Sequence, residues 1–296
     1  MLADRSRLHI ALQKSGRLAD ASRQLLKDAG LRIQNGKNSL TARVENFAAE
    51  LMFVRDDDIP TFVSDGVCEF GIVGQNVLEE FVLGRDEPGC DVLAELAFGR
   101  CSLKIAAPEA LPYEGVQSLA GSRIATTYPR LLGRFLEERG ISADIVKMNG
   151  AVELAPRLQI APFVCDLVST GATLEANGLK PLETVLESQA TLIRTRKALD
   201  EARSSIAEQL LSRIGGVLAT KESKYIMLNA SEDALDRITG LLPGAEAPTI
   251  IPLHGRPGHY AVHAVCQESV FWETLQNLKG AGASAILVVP IEKMMM

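Results

Sequence analysis

Through the first two thirds of the chain, short apolar runs end in polar glycine turns, and apolar residues at helical spacing follow each turn. Residues 7–12 lead into Gln13-Lys14-Ser15-Gly16-Arg17, after which Leu18, Leu25 and Leu26 recur on one helical face. The pattern continues with predicted strands over 49–54 and 70–74, a helix over 59–66 between them, and a helix over 77–82. Further strands are predicted over 102–107, 122–126, 144–148 and 164–168, with helices over 130–139, stopped by Gly140, and 152–158. Strands alternating with helices predict parallel sheets with helices on their faces, an α/β fold.

A chain of 296 residues exceeds one ordinary domain, so more than one compact unit is expected. The alternation divides into a first lobe over 1–100, with a return segment over 185–220, and a second lobe over 101–184. A strand over 184–194 is expected to rejoin the first lobe. A connecting helix follows over 199–218, and the pattern then changes to strand 225–230, a helix over 232–242 capped by Ser231, a hairpin pair 249–253 and 260–265, helix 270–280 and strand 285–290. That order, βαββαβ over 221–296, is the ferredoxin-like unit, either a sensor or an oligomerisation module.

Hydrophobic residues make up 47% and charged residues 23%, values of an ordinary globular chain. The net charge of -6 argues against nucleic acid and against an anionic membrane surface as partners. No window approaches the roughly 18 apolar residues of a membrane span, and no apolar leader is visible. The 5 cysteines, Cys68, Cys90, Cys101, Cys165 and Cys266, are scattered without a Cys-x-x-Cys pair, as expected of inert thiols in a reduced cytoplasmic setting.

The stretch from Asp166 to Leu174 carries the most chemistry. An apolar strand ends there in Ser169-Thr170-Gly171-Ala172-Thr173. Glycine lets the backbone bend close to an anion, freed N–H groups point at phosphate oxygens, and the Thr170 and Thr173 hydroxyls add donors. The plainer alternative is a strand-to-helix turn in which threonine caps the helix. Lys14-Ser15-Gly16-Arg17 sits at another predicted strand end, where a lysine charge and an arginine fork suit diphosphate oxygens, although it lacks Walker spacing. Arg55-Asp56-Asp57-Asp58 resembles a magnesium cluster, but three consecutive acids cannot all face one ion, and acids before a helix complement its dipole. No protein metal site is expected. None of His9, His254, His259 and His263 has metal-pair spacing or a nucleophile partner, and Trp272 reads as core.

With these residues in view, the sequence resembles the long, hexameric form of ATP phosphoribosyltransferase over nearly its whole length. The likeness runs from Leu12-Gln13-Lys14-Ser15-Gly16-Arg17-Leu18 through Val54-Arg55-Asp56-Asp57-Asp58-Ile59-Pro60 and the loop after Asp166. It continues through Glu222-Ser223-Lys224-Tyr225-Ile226-Met227 and Pro248-Thr249-Ile250-Ile251-Pro252-Leu253 to Pro290-Ile291-Glu292-Lys293-Met294. The resemblance implies attack of adenine N1 of ATP on C1 of phosphoribosyl pyrophosphate (PRPP), the first step of histidine biosynthesis, with Mg2+ carried on the substrate phosphates. It implies a two-lobed, periplasmic-binding-protein-like catalytic part, a homo-oligomer from dimer to hexamer, and feedback inhibition by histidine at a regulatory third domain. By the same resemblance Ser169, Thr170, Gly171, Ala172, Thr173 and Leu174 take the sugar phosphate, and Glu153 and Asp166 the ribose hydroxyls. Gln13, Lys14, Ser15, Gly16, Arg17, Arg55 and Tyr128 contact the nucleotide or pyrophosphate, with Lys14 and Arg17 catalytic and Thr126-Thr127-Tyr128-Pro129 lining the cleft. Thr249, Leu253 and Ala283 fall where the family binds histidine. Some relatives carry an arginine where this chain has Asn38-Ser39, with Lys37 the nearest cation, which leaves a leaving-group role there open.

Such chemistry needs no strong general base, because adenine N1 has its own lone pair. Alignment and cations at the departing pyrophosphate suffice. Three rival readings remain at this point: a two-lobed solute-binding protein, which predicts an export signal; a silent regulatory subunit, which predicts loss of the two turns; and a phosphoribosyltransferase for another base.

Overall fold

The computed structural model describes residues 6–34, 40–221, 223–242, 247–267 and 271–294. Two compact units emerge: one takes residues up to Gln24 and Leu31–Ile206, the other Leu25–Gly30 and the chain from Ala207 onward. The second unit therefore begins inside the connecting helix.

The larger unit holds two sheets. The first contains strands β1 (Leu8–Gln13), β2 (Thr41–Arg43), β3 (Ala49–Val54), β4 (Phe70–Gly74) and β5 (Cys90–Glu95), with helices α1 (Ala19–Asp28), α2 (Ile59–Ser64) and α3 (Gln75–Val82) between them. The second contains β6 (Cys101–Pro108), β7 (Arg123–Thr126), β8 (Asp144–Lys147), β9 (Phe163–Val168) and β10 (Leu179–Ser188), with α4 (Pro129–Glu137) and α5 (Ala172–Ala176). Strand β11 (Ala190–Thr195) returns to the first sheet, and the orders are β2-β3-β1-β4-β11-β5 and β10-β6-β9-β7-β8.

Each sheet is parallel only at its centre. β1 runs parallel to β3 and β4, and β7 parallel to β8 and β9. β1 is buried along almost its whole length, as a central strand covered on both faces must be. β6 opposes both β9 and β10, and β11 opposes β4 and β5. The expectation of uniformly parallel sheets is thus corrected. No helix carries the chain back across the sheet between β6 and β7, only the short 3-10 turn Val116–Leu119, so β6 enters reversed.

The expected returning strand over 184–194 is corrected as well. Thr184 to Ser188 stay paired with β6 in the second sheet, ending at Ser188 opposite Cys101, and only Ala190–Thr195 crosses to the first. β10 is an edge strand with irregular register around Pro181 and Leu186, which erases the alternation that would have marked its face. The lobes are therefore joined twice, after β5 and at Gln189. Tyr128 packs against the buried cores of both lobes.

In the second unit, α6 (Glu201–Lys221) leads into β12 (Ser223–Ser231), α7 (Leu235–Leu241), β13 (Thr249–Pro252), β14 (His259–Gln267), α8 (Phe271–Gly280) and β15 (Ser284–Pro290). The sheet order β13-β14-β12-β15 is the ferredoxin-like one. Its core gathers Ile226, Leu228, Ile238, Val262 and Leu278. Ser231 occupies the helix-capping position but makes no capping hydrogen bond, and a 3-10 turn, Glu232–Ala234, precedes α7. Trp272, expected in the core, is 77% exposed, because it stands on the outward face of α8. Among the described residues no helix is long and apolar enough to cross a membrane.

Candidate active site

The basic turn follows β1 directly. Gly16 has φ +114°, a conformation that favours glycine, and a Cβ there would also press on the Gln13 side-chain amide at 2.8 Å. Gln13 Oε1 accepts the Leu18 N–H at 2.9 Å, closing the turn, which commits that oxygen to structure rather than to a ligand. Lys14, Ser15, Gly16 and Arg17 are exposed. The Arg17 guanidinium lies alongside Gly74 and Gly99, where added Cβ atoms would meet it at 3.6 and 3.5 Å. It therefore lies near the end of β4.

The second turn follows β9. Gly171 has φ +85° and open space around it, and it occupies the N-cap of α5 without a side-chain capping bond. The threonine-cap alternative is thus not what the turn does. Ser169, Thr170, Ala172 and Thr173 are exposed, and the first N–H groups of a helix such as α5 have no partner within it. Leu174 is buried in the core, so it can offer a ligand only its backbone N–H.

Asp166 lies half-buried on β9, with Oδ1 accepting the Leu167 N–H at 2.8 Å. Burial pushes its carboxyl above the usual range, and the Glu153 charge adds to that, against the Leu167 bond. Glu153 sits in the 3-10 turn Val152–Leu154, after Ala151 at φ +49°. Burial likewise raises Asp57, helped by Asp56 and Asp58 and opposed by Arg55.

A cleft of about 820 Å³ opens between the lobes, lined by Arg55 and Asp57 from one side and Tyr128, Arg130, Lys147 and Asn149 from the other. Tyr128 Oη accepts Asn76 Nδ2–H at 2.9 Å. Burial raises the Tyr128 hydroxyl far above its ordinary pKa; the Asn76 bond opposes this, and Asp56, Asp57 and Asp166 add to it. Tyr128 thus feels carboxylates from both lobes. Of the sequence-derived residues, the cleft unites Arg55 and Tyr128 with Thr127 and Pro129; the two glycine turns lie at the carboxyl ends of β1 and β9 and do not line it. Lys37 to Ser39 lie outside the described residues.

Asn76, Glu80, Arg130 and Lys147 escaped the sequence reading. A helix started at Gln75 rather than Val77 would have exposed Asn76 as a polar residue in a buried first turn. All 5 cysteines are free and buried, with the Cys68 thiol pushed up to about 12 mainly by burial, and they offer no nucleophile.

In the smaller unit Thr249 and Leu253 lie on or just after β13, and Ala283 just before β15, at opposite edges of the sheet. Three strand spacings, about 14 Å, separate those edges.

Two lobes linked by two crossings, with glycine turns at the carboxyl ends of parallel strands, define a class of two-lobed α/β proteins whose ligands bind off those strand ends. Comparison with known proteins narrows the class. A family model described as ATP phosphoribosyltransferase matches residues 55–216, and one described as HisG, C-terminal domain, matches 220–293. A curated ATP phosphoribosyltransferase from Maricaulis maris (strain MCS10) is 52% identical over 291 residues, covering 98% of this chain and 99% of that protein. Among solved structures, the ATP phosphoribosyl transferase (HisG:HisZ) complex from Thermotoga maritima matches with TM-score 0.57 and 26% identity, covering 70% of this chain and 98% of that one. The chain belongs to the ATP phosphoribosyltransferase family. It is a transferase of histidine biosynthesis that uses ATP and PRPP.

Proposed function

We propose that the lone pair of adenine N1 attacks C1 of PRPP while the C1–O bond to pyrophosphate breaks, giving phosphoribosyl-ATP. The observation that carries this reading is the pair of glycine turns at the carboxyl ends of β1 and β9, one basic and one rich in free N–H groups. Backbone N–H groups of Ser169 to Leu174, with the Thr170 and Thr173 hydroxyls, hold the sugar phosphate. Glu153 and Asp166 take the ribose hydroxyls. Arg17 and Lys14 neutralise the leaving pyrophosphate, and Arg55 and Tyr128 hold the nucleotide, with Ser15 and Gly16 offering backbone contacts.

Magnesium enters with the diphosphate and, when bound, supplies positive charge to the leaving group. Among the described residues no group of carboxylates is gathered to hold a metal of its own, so the substrate phosphates would carry the cation. Asp57 and Asp166, each raised by burial and by its own neighbouring carboxylates, would be eased by a positive charge arriving in that way. The enzyme acts in the cytoplasm as a homo-oligomer of two to six chains, and histidine inhibits it allosterically through Thr249, Leu253 and Ala283.

The test is product formation from ATP and PRPP by purified protein, followed by adenine absorbance, with and without histidine. Arg17→Ala is expected to lower kcat by at least about a hundredfold while PRPP affinity changes by only a few-fold. Equal losses in both would remove Arg17 from the leaving-group role.

A further inference from the structure

Asn76 stands in the first turn of α3, 1% exposed, and reaches three groups. Its Oδ1 accepts Ser188 Oγ–H at 2.8 Å, its backbone N–H donates to Ser188 Oγ at 3.1 Å, and its Nδ2 donates to Tyr128 Oη at 2.9 Å. Ser188 ends β10, one residue before the crossing at Gln189, so one buried carboxamide joins the lobe crossing to a residue of the cleft. Gly74 makes the room. A Cβ there would stand 2.6 Å from Asn76 Oδ1.

The orientation of that amide decides which hydroxyl has a hydrogen to spare. With Oδ1 toward Ser188, the serine hydrogen is used and the Tyr128 hydrogen is free. With the amide turned over, Tyr128 would donate to Oδ1 and the Ser188 hydrogen would be left over. Ser188 is 5% exposed and donates to Asn76 Oδ1, so that arrangement takes from a buried hydroxyl the acceptor it now has, which is costly. Tyr128 lines the cleft, where a ligand or water accepts its hydrogen.

We propose that Asn76, clamped by Ser188, is a positioning residue that turns the Tyr128 hydroxyl hydrogen into the cleft as a donor for an acceptor atom of the adenine nucleotide. This rests on the nucleotide reading of the cleft given above. Neither Asn76 nor Ser188 touches the ligand; each acts through Tyr128.

The experiment measures equilibrium binding of ATP and of PRPP to full-length protein for Asn76→Leu, Ser188→Ala and Ser188→Thr, each alone and combined with Tyr128→Phe. Asn76→Leu and Ser188→Ala are expected to weaken ATP about three- to tenfold, the size of one lost hydrogen bond, and PRPP less than about twofold. Ser188→Thr keeps the hydroxyl and keeps ATP affinity. In the Tyr128→Phe background the losses disappear, because no hydroxyl remains to be oriented. Losses equal for both ligands, or undiminished in that background, overturn the role of Asn76. Should Asn76→Leu not fold, Ser188→Ala decides alone. A wild-type protein that binds PRPP but no ATP overturns the nucleotide reading instead, a result distinct from either outcome.

Discussion

Glu69 shows how a single buried charge is made tolerable. It is 2% exposed, accepts the His9 N–H at 2.6 Å, and pairs with Arg203 at 2.9 Å. Burial alone would raise its carboxyl, but the bonds and charge of His9 outweigh that and hold it below the usual range. A carboxyl lower in the folded state than in the unfolded contributes stability that is complete above about pH 4.3 and fades as pH falls through the folded value. Glu69→Gln is therefore expected to cost about 2 kcal/mol at pH 7, with the deficit shrinking in acid. Urea midpoints at pH 7 and in mild acid check this; a deficit independent of pH would deny the carboxylate its part. Legibility at this scale follows distance along the chain. Gly171 and its threonines are readable because the signal is local. Asn76 is not, since its partners Ser188 and Tyr128 lie 112 and 52 residues away, and a single sequence carries no trace of that meeting.

Helix α4 illustrates a device that belongs to an element. Pro129 opens it, Tyr128 at the N-cap gives no side-chain cap, and Leu131, Leu132, Phe135 and Leu136 bury its inner stripe. The missing cap comes from α3 in the other lobe: the Glu80 carboxylate accepts the Arg130 N–H at 3.0 Å and the Leu131 N–H at 2.9 Å. Glu79 also bonds Arg134 at 2.7 Å, but that pair is 25% and 40% exposed. Glu80→Ala is expected to cost about 1–2 kcal/mol, as loss of a helix cap does, whereas Glu79→Ala should cost about 0–1 kcal/mol. Comparable losses in denaturant melts of the two variants would contradict the capping account. The stripe of α4 was plain in the sequence, as were β3, β4 and β9, whose buried runs meet the period of their structure. β2 and β5 were not, because short edge strands with few buried positions carry no alternation to read.

At the scale of the molecule, the smaller unit leaves one sheet face open. Register puts Val289 beside Tyr225, Leu287 beside Met227, and Ile251 beside Ala261, all on the face opposite the core of Ile226 and Val262. Leu287 is 57%, Ile251 47% and Val289 43% exposed, with the Tyr225 hydroxyl and His263 Nδ1 meeting at 3.0 Å among them. An apolar face of this kind would suit a contact with a second copy of the chain, the arrangement proposed above. The histidine site proposed above, over Thr249, Leu253 and Ala283, takes residues from both edges of this sheet, so a disturbance of the face between them should reach it. Leu287→Lys with Val289→Lys alters side chains already in water, so the single chain should lose less than about 1 kcal/mol. Light scattering should then show the wild type at a multiple of 31.9 kDa and the variant at a smaller assembly. Histidine inhibition should disappear with it, while phosphoribosyl transfer, if each larger unit works alone, persists. An unchanged mass, or a variant that dissociates yet still responds to histidine, would break the link between this face and regulation.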